Sequence, residues 1–160
     1  EFAHHPPRLP DADVYWEMHE QAQDLLESGG FAQYEVSAYS KASPCRHNLN
    51  YWQFGDYLAI GAGAHGKLSL LDDAGNLQIQ RYWNHRQPRA YMQSAQSGAF
   101  CAQRKPVPVA ERDFEYLMNA LRLKSGFGLA EYQQRTGGER SDLLTRLQPF
   151  IGKKWLAETA

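Results

Sequence analysis

The stretch Cys45-Arg46-His47-Asn48-Leu49-Asn50-Tyr51-Trp52-Gln53-Phe54-Gly55-Asp56-Tyr57 limits what this chain can become more than any other part of it. Within thirteen residues it sets a thiol, an imidazole, carboxamides and four aromatic rings. Rings are costly to leave in water and polar ligand atoms are costly to bury. A dense mixture of the two therefore suits a flat apolar molecule held by a polar or metal-directed handle. Shortly after it, Gly61-Ala62-Gly63-Ala64-His65-Gly66 is backbone nearly bare of side chains. Such backbone lets a ligand or a neighbouring strand come close, and the two stretches read as parts of one site.

The rest of the composition is that of a globular protein, 42% hydrophobic and 22% charged over 160 residues, enough for one domain or two small ones. No apolar run approaches the ~20 residues that cross a bilayer. The opening Glu1-Phe2-Ala3-His4-His5-Pro6-Pro7 lacks the charged and apolar regions of a signal peptide, so the expected compartment is the cytoplasm. A net charge of -1 with interspersed signs gives no field to collect nucleic acid or anionic lipid. Two cysteines, Cys45 and Cys101, are too few for a zinc ribbon or a four-thiolate cluster, and no CxxC spacing is present. The chain opens on a Pro-rich loop and closes on Lys153-Lys154-Trp155-Leu156-Ala157, which reads as a strand just starting. Both ends suggest a piece of a longer protein.

From Asp11 to Ser28, Val14, Met18, Ala22, Leu25 and Leu26 fall at helical spacing behind an acidic start, and Gly29-Gly30 ends the run. Gln33 to Tyr39 alternates between turn formers and is expected as a strand. Tyr57 to Gly61 is a short apolar run of the buried-strand kind. Between them Asn48 to Phe54 is expected as a short helix, with His47 or Asn48 near its start. Lys67 to Leu71 and Leu77 to Tyr82 flank Asp72-Asp73-Ala74-Gly75-Asn76, a hairpin with a longer loop. Pro88 opens a helix to about Ser97, with Ala90, Tyr91 and Ala95 on its apolar side. Ala102 to Val109, with Pro106 and Pro108, reads as an extended linker and divides the chain into domains 1–101 and 102–160. Beyond it Ala110 to Leu123, Leu129 to Arg135 and Ser141 to Phe150 are helical. Three helices and a starting strand outline a winged helix.

Cys45 and His47 are both borderline ligands for zinc or iron. Two readings of the motif stand. In one, His47 and Asn48 cap the short helix while Tyr51, Trp52 and Phe54 pack into the core. In the other, His47 is an axial donor and Tyr51 and Trp52 flank a macrocycle such as haem. For Gly61 to Gly66 the alternatives are a strand end packed closely on a neighbour and a backbone shelf for a planar group such as adenine. The spacing fits neither a dinucleotide fingerprint nor a P-loop, and His65 is expected to bond local backbone. Arg81, Arg86 and Arg89 form a modest basic cluster, read as a solvated face. Arg140, Arg146, Lys153 and Lys154 stand against Glu139 and Asp142, too mixed for a DNA-reading helix. No nucleic-acid partner is expected, and His4, His5, His19 and His85 are assigned no role.

With Tyr34-Glu35-Val36-Ser37-Ala38-Tyr39 before it and Gly55 to Gly66 behind, the run from Cys45 resembles the HemW-like haem-chaperone branch of the oxygen-independent coproporphyrinogen III oxidase family. These are radical S-adenosylmethionine (SAM) proteins. The resemblance extends over the whole chain, including Pro6-Pro7-Arg8-Leu9-Pro10-Asp11, and is densest from Gln33 to Lys67. The branch's HNxxYW motif is matched by His47-Asn48-Leu49-Asn50-Tyr51-Trp52. The resemblance implies an α/β fold, the C-terminal part of a partial (β/α) radical SAM barrel followed by a small helical, winged-helix-like domain. It implies that the parent protein binds haem and passes it to acceptor proteins, membrane-associated ones among them. His47 is then the axial ligand to the haem iron, with Cys45 second in rank. Asn48 hydrogen-bonds or caps, Tyr51 and Trp52 pack on the ring, and Gly61, Gly63 and Ala64 form a shelf for SAM. Ser37 stands where the oxidases carry a SAM-contacting aspartate. Radical SAM chemistry also needs a [4Fe-4S] cluster on a CxxxCxxC loop, which this sequence lacks. That loop is expected before Glu1, and this chain alone is not expected to cleave SAM. Two rival expectations are a coproporphyrinogen III oxidase of porphyrin biosynthesis and a winged-helix binding module.

Overall fold

The computed structural model describes residues 7–158, so the expected opening loop at Glu1 to Pro6 lies outside the described residues. Small antiparallel sheets and helices fall into two compact units, residues 1–45 and 46–160.

The first unit is a helix and a hairpin. In α1 (Ala12–Ser28) the N-cap Asp11 accepts the Val14 N–H at 2.9 Å, and Gly30, at φ 78°, turns the chain out of the helix. The apolar stripe expected on this helix lies open, with Val14 44%, Met18 55% and Leu25 74% exposed. The single strand expected over Gln33 to Tyr39 is instead two, β1 (Ala32–Glu35) and β2 (Ala38–Ser40), paired antiparallel with Ala32 opposite Ser40. The turn between them is held by side chains. Glu35 accepts the Ser37 N–H at 3.1 Å, and the Gln33 amide donates to the Val36 carbonyl at 3.1 Å. A strand and a tight hairpin share the same period of two, so alternation alone could not separate them.

The second unit opens with α2 (Arg46–Trp52) and continues into a sheet of β3 (His65–Leu71), β4 (Leu77–Asn84) and β5 (Cys101–Pro106), antiparallel in that order. The Asp72 carboxylate accepts the backbone N–H groups of Ala74 and Asn76 and so closes the β3–β4 loop. Residues expected to be a linker form β5, with Pro106 opposite Gln80 at the strand end, where its missing N–H does no harm on an edge strand. Residues 57–61 do not form the buried strand expected of them. Tyr57 alone bridges Lys67, and Leu58 and Ile60 stand 71% and 84% exposed while Ala59 is buried.

Helix α3 (Pro88–Gln96) follows β4, and α4 (Val109–Ala120), α5 (Leu129–Thr136) and α6 (Arg140–Gly152) follow β5. Phe54, Ile79, Val107, Tyr116, Ala120, Tyr132, Leu143 and Leu147 form one buried cluster. Phe54, just past α2, thus ties the motif helix to the core. The strand expected at 153–157 is absent among the described residues. Lys154, at φ 59°, reverses the chain, and the Lys154 and Trp155 N–H groups return to Ile151 and Phe150 as a helix-ending turn.

Candidate functional site

Seven residues make α2 too short to be stable alone, so its position is set by what it touches. It begins at Arg46, which makes His47 and Asn48 its second and third residues rather than its cap. His47 and Tyr51, four apart, share one face. Their rings meet edge to face at 4.7 Å between centroids, and Tyr51 in turn lies 4.4 Å from Tyr57. His47 is exposed, while Asn48 and Tyr51 are half-buried. Tyr57 is anchored from the sheet, its hydroxyl accepting from Arg81 at 3.0 Å. Arg81 also pairs with Glu115 of α4 at 2.5 Å. Burial works against the Arg81 charge, but Glu115 and Tyr57 outweigh it and hold the guanidinium above its ordinary value.

Trp52 looks elsewhere. Five residues on from His47, it is turned roughly 140° around the helix axis. The guanidinium of Arg122, just beyond α4, lies 4.3 Å from its ring centroid. Its indole N–H is buried without a hydrogen-bond partner among the described residues. The structure thus brings His47 and Tyr51 together and sends Trp52 to another side. Cys45 is exposed with a free thiol and falls in the other unit.

Directly behind the motif the chain is pinned to β3. Phe54 takes the left-handed φ of 55°, unusual for a residue with a side chain. A Cβ on Gly55 would sit 2.7 Å from the Asn50 carbonyl, so the turn needs glycine there. The Asn50 side chain donates to the Asp56 carbonyl at 2.9 Å. Lys67, 1% exposed, donates to the Phe54 carbonyl and to Asp56, both at 2.9 Å. Burial pulls the Lys67 ammonium below the ordinary lysine value against the opposing pull of Asp56. Burial would raise the Asp56 carboxyl, but hydrogen bonds from Lys67 and from the Ser69 N–H and hydroxyl bring it below the usual carboxylate range.

The glycine segment is a fixed piece of backbone. Gly61, at φ 101°, and Gly63, at φ 69°, take conformations that glycine alone adopts readily. The Gly61 N–H donates to the Tyr91 hydroxyl at 3.1 Å and the Ala59 N–H to the Tyr82 hydroxyl at 2.9 Å. The buried Asn84 amide donates to the carbonyls of Ala59 and Gly61 at 3.2 and 2.9 Å, while its backbone N–H donates to the Ala64 carbonyl at 2.9 Å. The Gly63 N–H closes on the His85 carbonyl at 2.8 Å. His65 stacks on Trp83, rings 5.8 Å apart and 22° from parallel, in place of the backbone bond expected of it.

Of the supporting residues, Lys67, Tyr82 and Asn84 were not singled out from the sequence, and Arg81, read there as part of a solvated face, is half-buried and bonded to Glu115 and Tyr57. A charged Lys67 within the apolar run of β3 was the one available signal, since a lysine in a half-buried strand needs a partner. Among the described residues no group of three or more His, Cys, Asp or Glu is arranged to hold a metal ion, and no helix is long and apolar enough to cross a membrane.

The chain is 41% identical over 160 residues to the protein named Heme chaperone HemW of Haemophilus influenzae and 39% identical to that of Escherichia coli, covering 99% of this chain in each case. It spans about 40% of the length of both relatives. The mouse protein named Radical S-adenosyl methionine domain-containing protein 1, mitochondrial, shares 46% identity over 73 residues, 45% of this chain and 16% of that protein. No family profile matches the chain. No solved structure matches it either.

Proposed function

We propose that this chain, a homologue of the HemW proteins over its whole length, supplies the haem-holding part of a haem chaperone that hands its cargo to acceptor proteins. The observation that carries this reading is the exposed face of α2, where the His47 imidazole stands in solvent beside the Tyr51 ring. An imidazole is a common axial donor to haem iron, and a macrocycle needs an aromatic or apolar surface beside that donor. The residues therefore fit the group. His47 would bind the iron, with Cys45 next in rank, Tyr51 would pack on the ring, and Tyr57 would fix Tyr51. Asn48 would hydrogen-bond near the helix start, and Trp52 would brace the helix through Arg122. A donor held in the open suits a cargo that must leave again, to acceptors at a membrane or in the cytoplasm.

In the same reading Gly61, Gly63 and Ala64 form the shelf for SAM. The [4Fe-4S] cluster that radical SAM chemistry requires would be held by a part of the longer protein other than this chain. In the longer protein the bare Leu58 and Ile60 side chains would be covered, as would be the open stripe of α1. Helices α4 to α6 would be the helical part of a winged-helix-like domain.

The test is to titrate haem into the chain, follow the Soret band, and then add an apo-haemoprotein. Saturable binding at one haem per chain, followed by transfer, is expected. Absence of a saturable band overturns the reading. For the longer protein, formation of protoporphyrinogen from coproporphyrinogen III with SAM and a reductant would assign the oxidase activity instead.

A further inference from the structure

Lys67 is among the largest fully buried side chains, in a chain whose other lysines are exposed. A buried ammonium persists only when its donors are met, and here all three are. They go to the Phe54 carbonyl at 2.9 Å, Asp56 Oδ1 at 2.9 Å and Ser69 Oγ at 3.2 Å. The ammonium also sits 4.1 Å from the centroid of the Phe54 ring. The backbone of Lys67 exchanges both hydrogen bonds with Tyr57, each at 3.0 Å. One residue therefore grips Phe54, Asp56 and Tyr57, three points within four residues directly behind the HNxxYW stretch. Tyr57 carries Tyr51, and Tyr51 carries His47.

Resting on the haem reading above, we propose that Lys67 is a positioning residue for the haem site. Its ammonium fixes the turn after α2 and so sets the placement of Tyr51 and His47. A methionine would fill the same space at less desolvation cost, so apolar packing alone does not call for a lysine. The Phe54 carbonyl supplies the reason. It belongs to a left-handed residue at a helix end, where the backbone acceptor has left the helical ladder and needs an outside donor. Asp56 is the complementary half, since its second oxygen accepts the Ser69 N–H at 2.8 Å and locks the carboxylate to β3.

Haem titration of the chain is compared for wild type, Lys67→Met, Lys67→Arg and Asp56→Asn, with far-UV circular dichroism on each sample and His47→Ala alongside. Removing a group that orients a metal ligand weakens metal binding about 10–100-fold. Lys67→Met is expected to lose about tenfold or more in haem affinity and to shift the Soret band. Asp56→Asn is expected to move the same way, and Lys67→Arg to recover part of the loss. A folded Lys67→Met with wild-type affinity and spectrum overturns the proposal. If Lys67→Met does not fold, Asp56→Asn decides on the same criteria. The NMR signals of the His47 ring in the haem-free chain give an independent readout, because the shift that the Tyr51 ring current induces in them depends on the placement of the two rings. Shifted His47 signals in the variants support the positioning role, and unchanged signals overturn it. Equal haem binding by wild type and His47→Ala sinks the haem reading instead, and the NMR comparison still decides on Lys67.

Discussion

Replacing Gly66 by alanine tests how tightly the glycine segment is built. A Cβ at this position would lie 2.3 Å from two ring carbons of Tyr82 and 2.6 Å from its hydroxyl. Carbon atoms sit comfortably at about 3.5 Å, so the ring must retreat by roughly 1 Å. Tyr82 is 7% exposed and has little free space to retreat into. Overpacking of this kind costs about 1–3 kcal/mol. The retreat also breaks the bond from the Ala59 N–H to the Tyr82 hydroxyl, worth roughly 0.5–1.5 kcal/mol. Together the expected loss is about 2–4 kcal/mol, measured as a lower urea midpoint with unchanged slope. Amide hydrogen exchange at Ala59 should accelerate in the same variant. A double-mutant cycle isolates the cause. In a Tyr82→Ala background the ring is gone, so adding Gly66→Ala should cost less than about 1 kcal/mol, a coupling of 0.5–3 kcal/mol or so. A Gly66→Ala variant within about 0.5 kcal/mol of wild type would refute the argument, as would an equal cost in both backgrounds.

Two buried tyrosines should respond in opposite directions to loss of the hydroxyl, read by the same urea unfolding. Tyr116 is fully buried and its hydroxyl has no partner among the described residues, so Tyr116→Phe should stabilise by about 1 kcal/mol. The Tyr132 hydroxyl donates to Asp113 at 2.5 Å, so Tyr132→Phe should destabilise by roughly 1–2 kcal/mol. Burial and that bond to Asp113 push the Tyr132 phenol from 10.0 up to about 12. A raised folded value means that the contribution is complete below pH 10 and is lost as pH rises through about 12. Stability should fall across that window, less steeply in Tyr132→Phe. Asp56 has the opposite sign: its folded value lies below 3.8, so its contribution is present at neutral pH and lost as pH falls through that lower value. Asp56→Asn should flatten the acid arm of the stability curve.

Much of the local structure was legible in the sequence because its signals are local. Asp11 and Gly29-Gly30 bracket α1, Pro88 opens α3, and the Asp72 to Asn76 loop joins β3 to β4, each as the residues alone suggest. Non-local choices were not legible. Whether Gln33 to Tyr39 runs straight or turns back depends on the Glu35 to Ser37 bond, which alternation does not encode. Residues 102–106 join the sheet because β4 offers them an edge, whereas their prolines suggested a linker. Leu58 and Ile60 are apolar as a buried strand requires, yet stand exposed. Of the candidate site, His47 and Tyr51 could be placed on one face from spacing alone. The supports beneath them, Tyr57, Arg81 and Lys67, come from β3, β4 and the loop before β3, and only pairing register brings them there.

Whether His47 is the donor to haem iron is decided by equilibrium haem titration of His47→Ala against wild type, with His85→Ala as control. With His47 as the donor, a single saturable haem complex is expected in wild type and His85→Ala, with affinity at least about tenfold weaker and a displaced Soret band in His47→Ala. The same affinity and spectrum in His47→Ala would contradict that assignment.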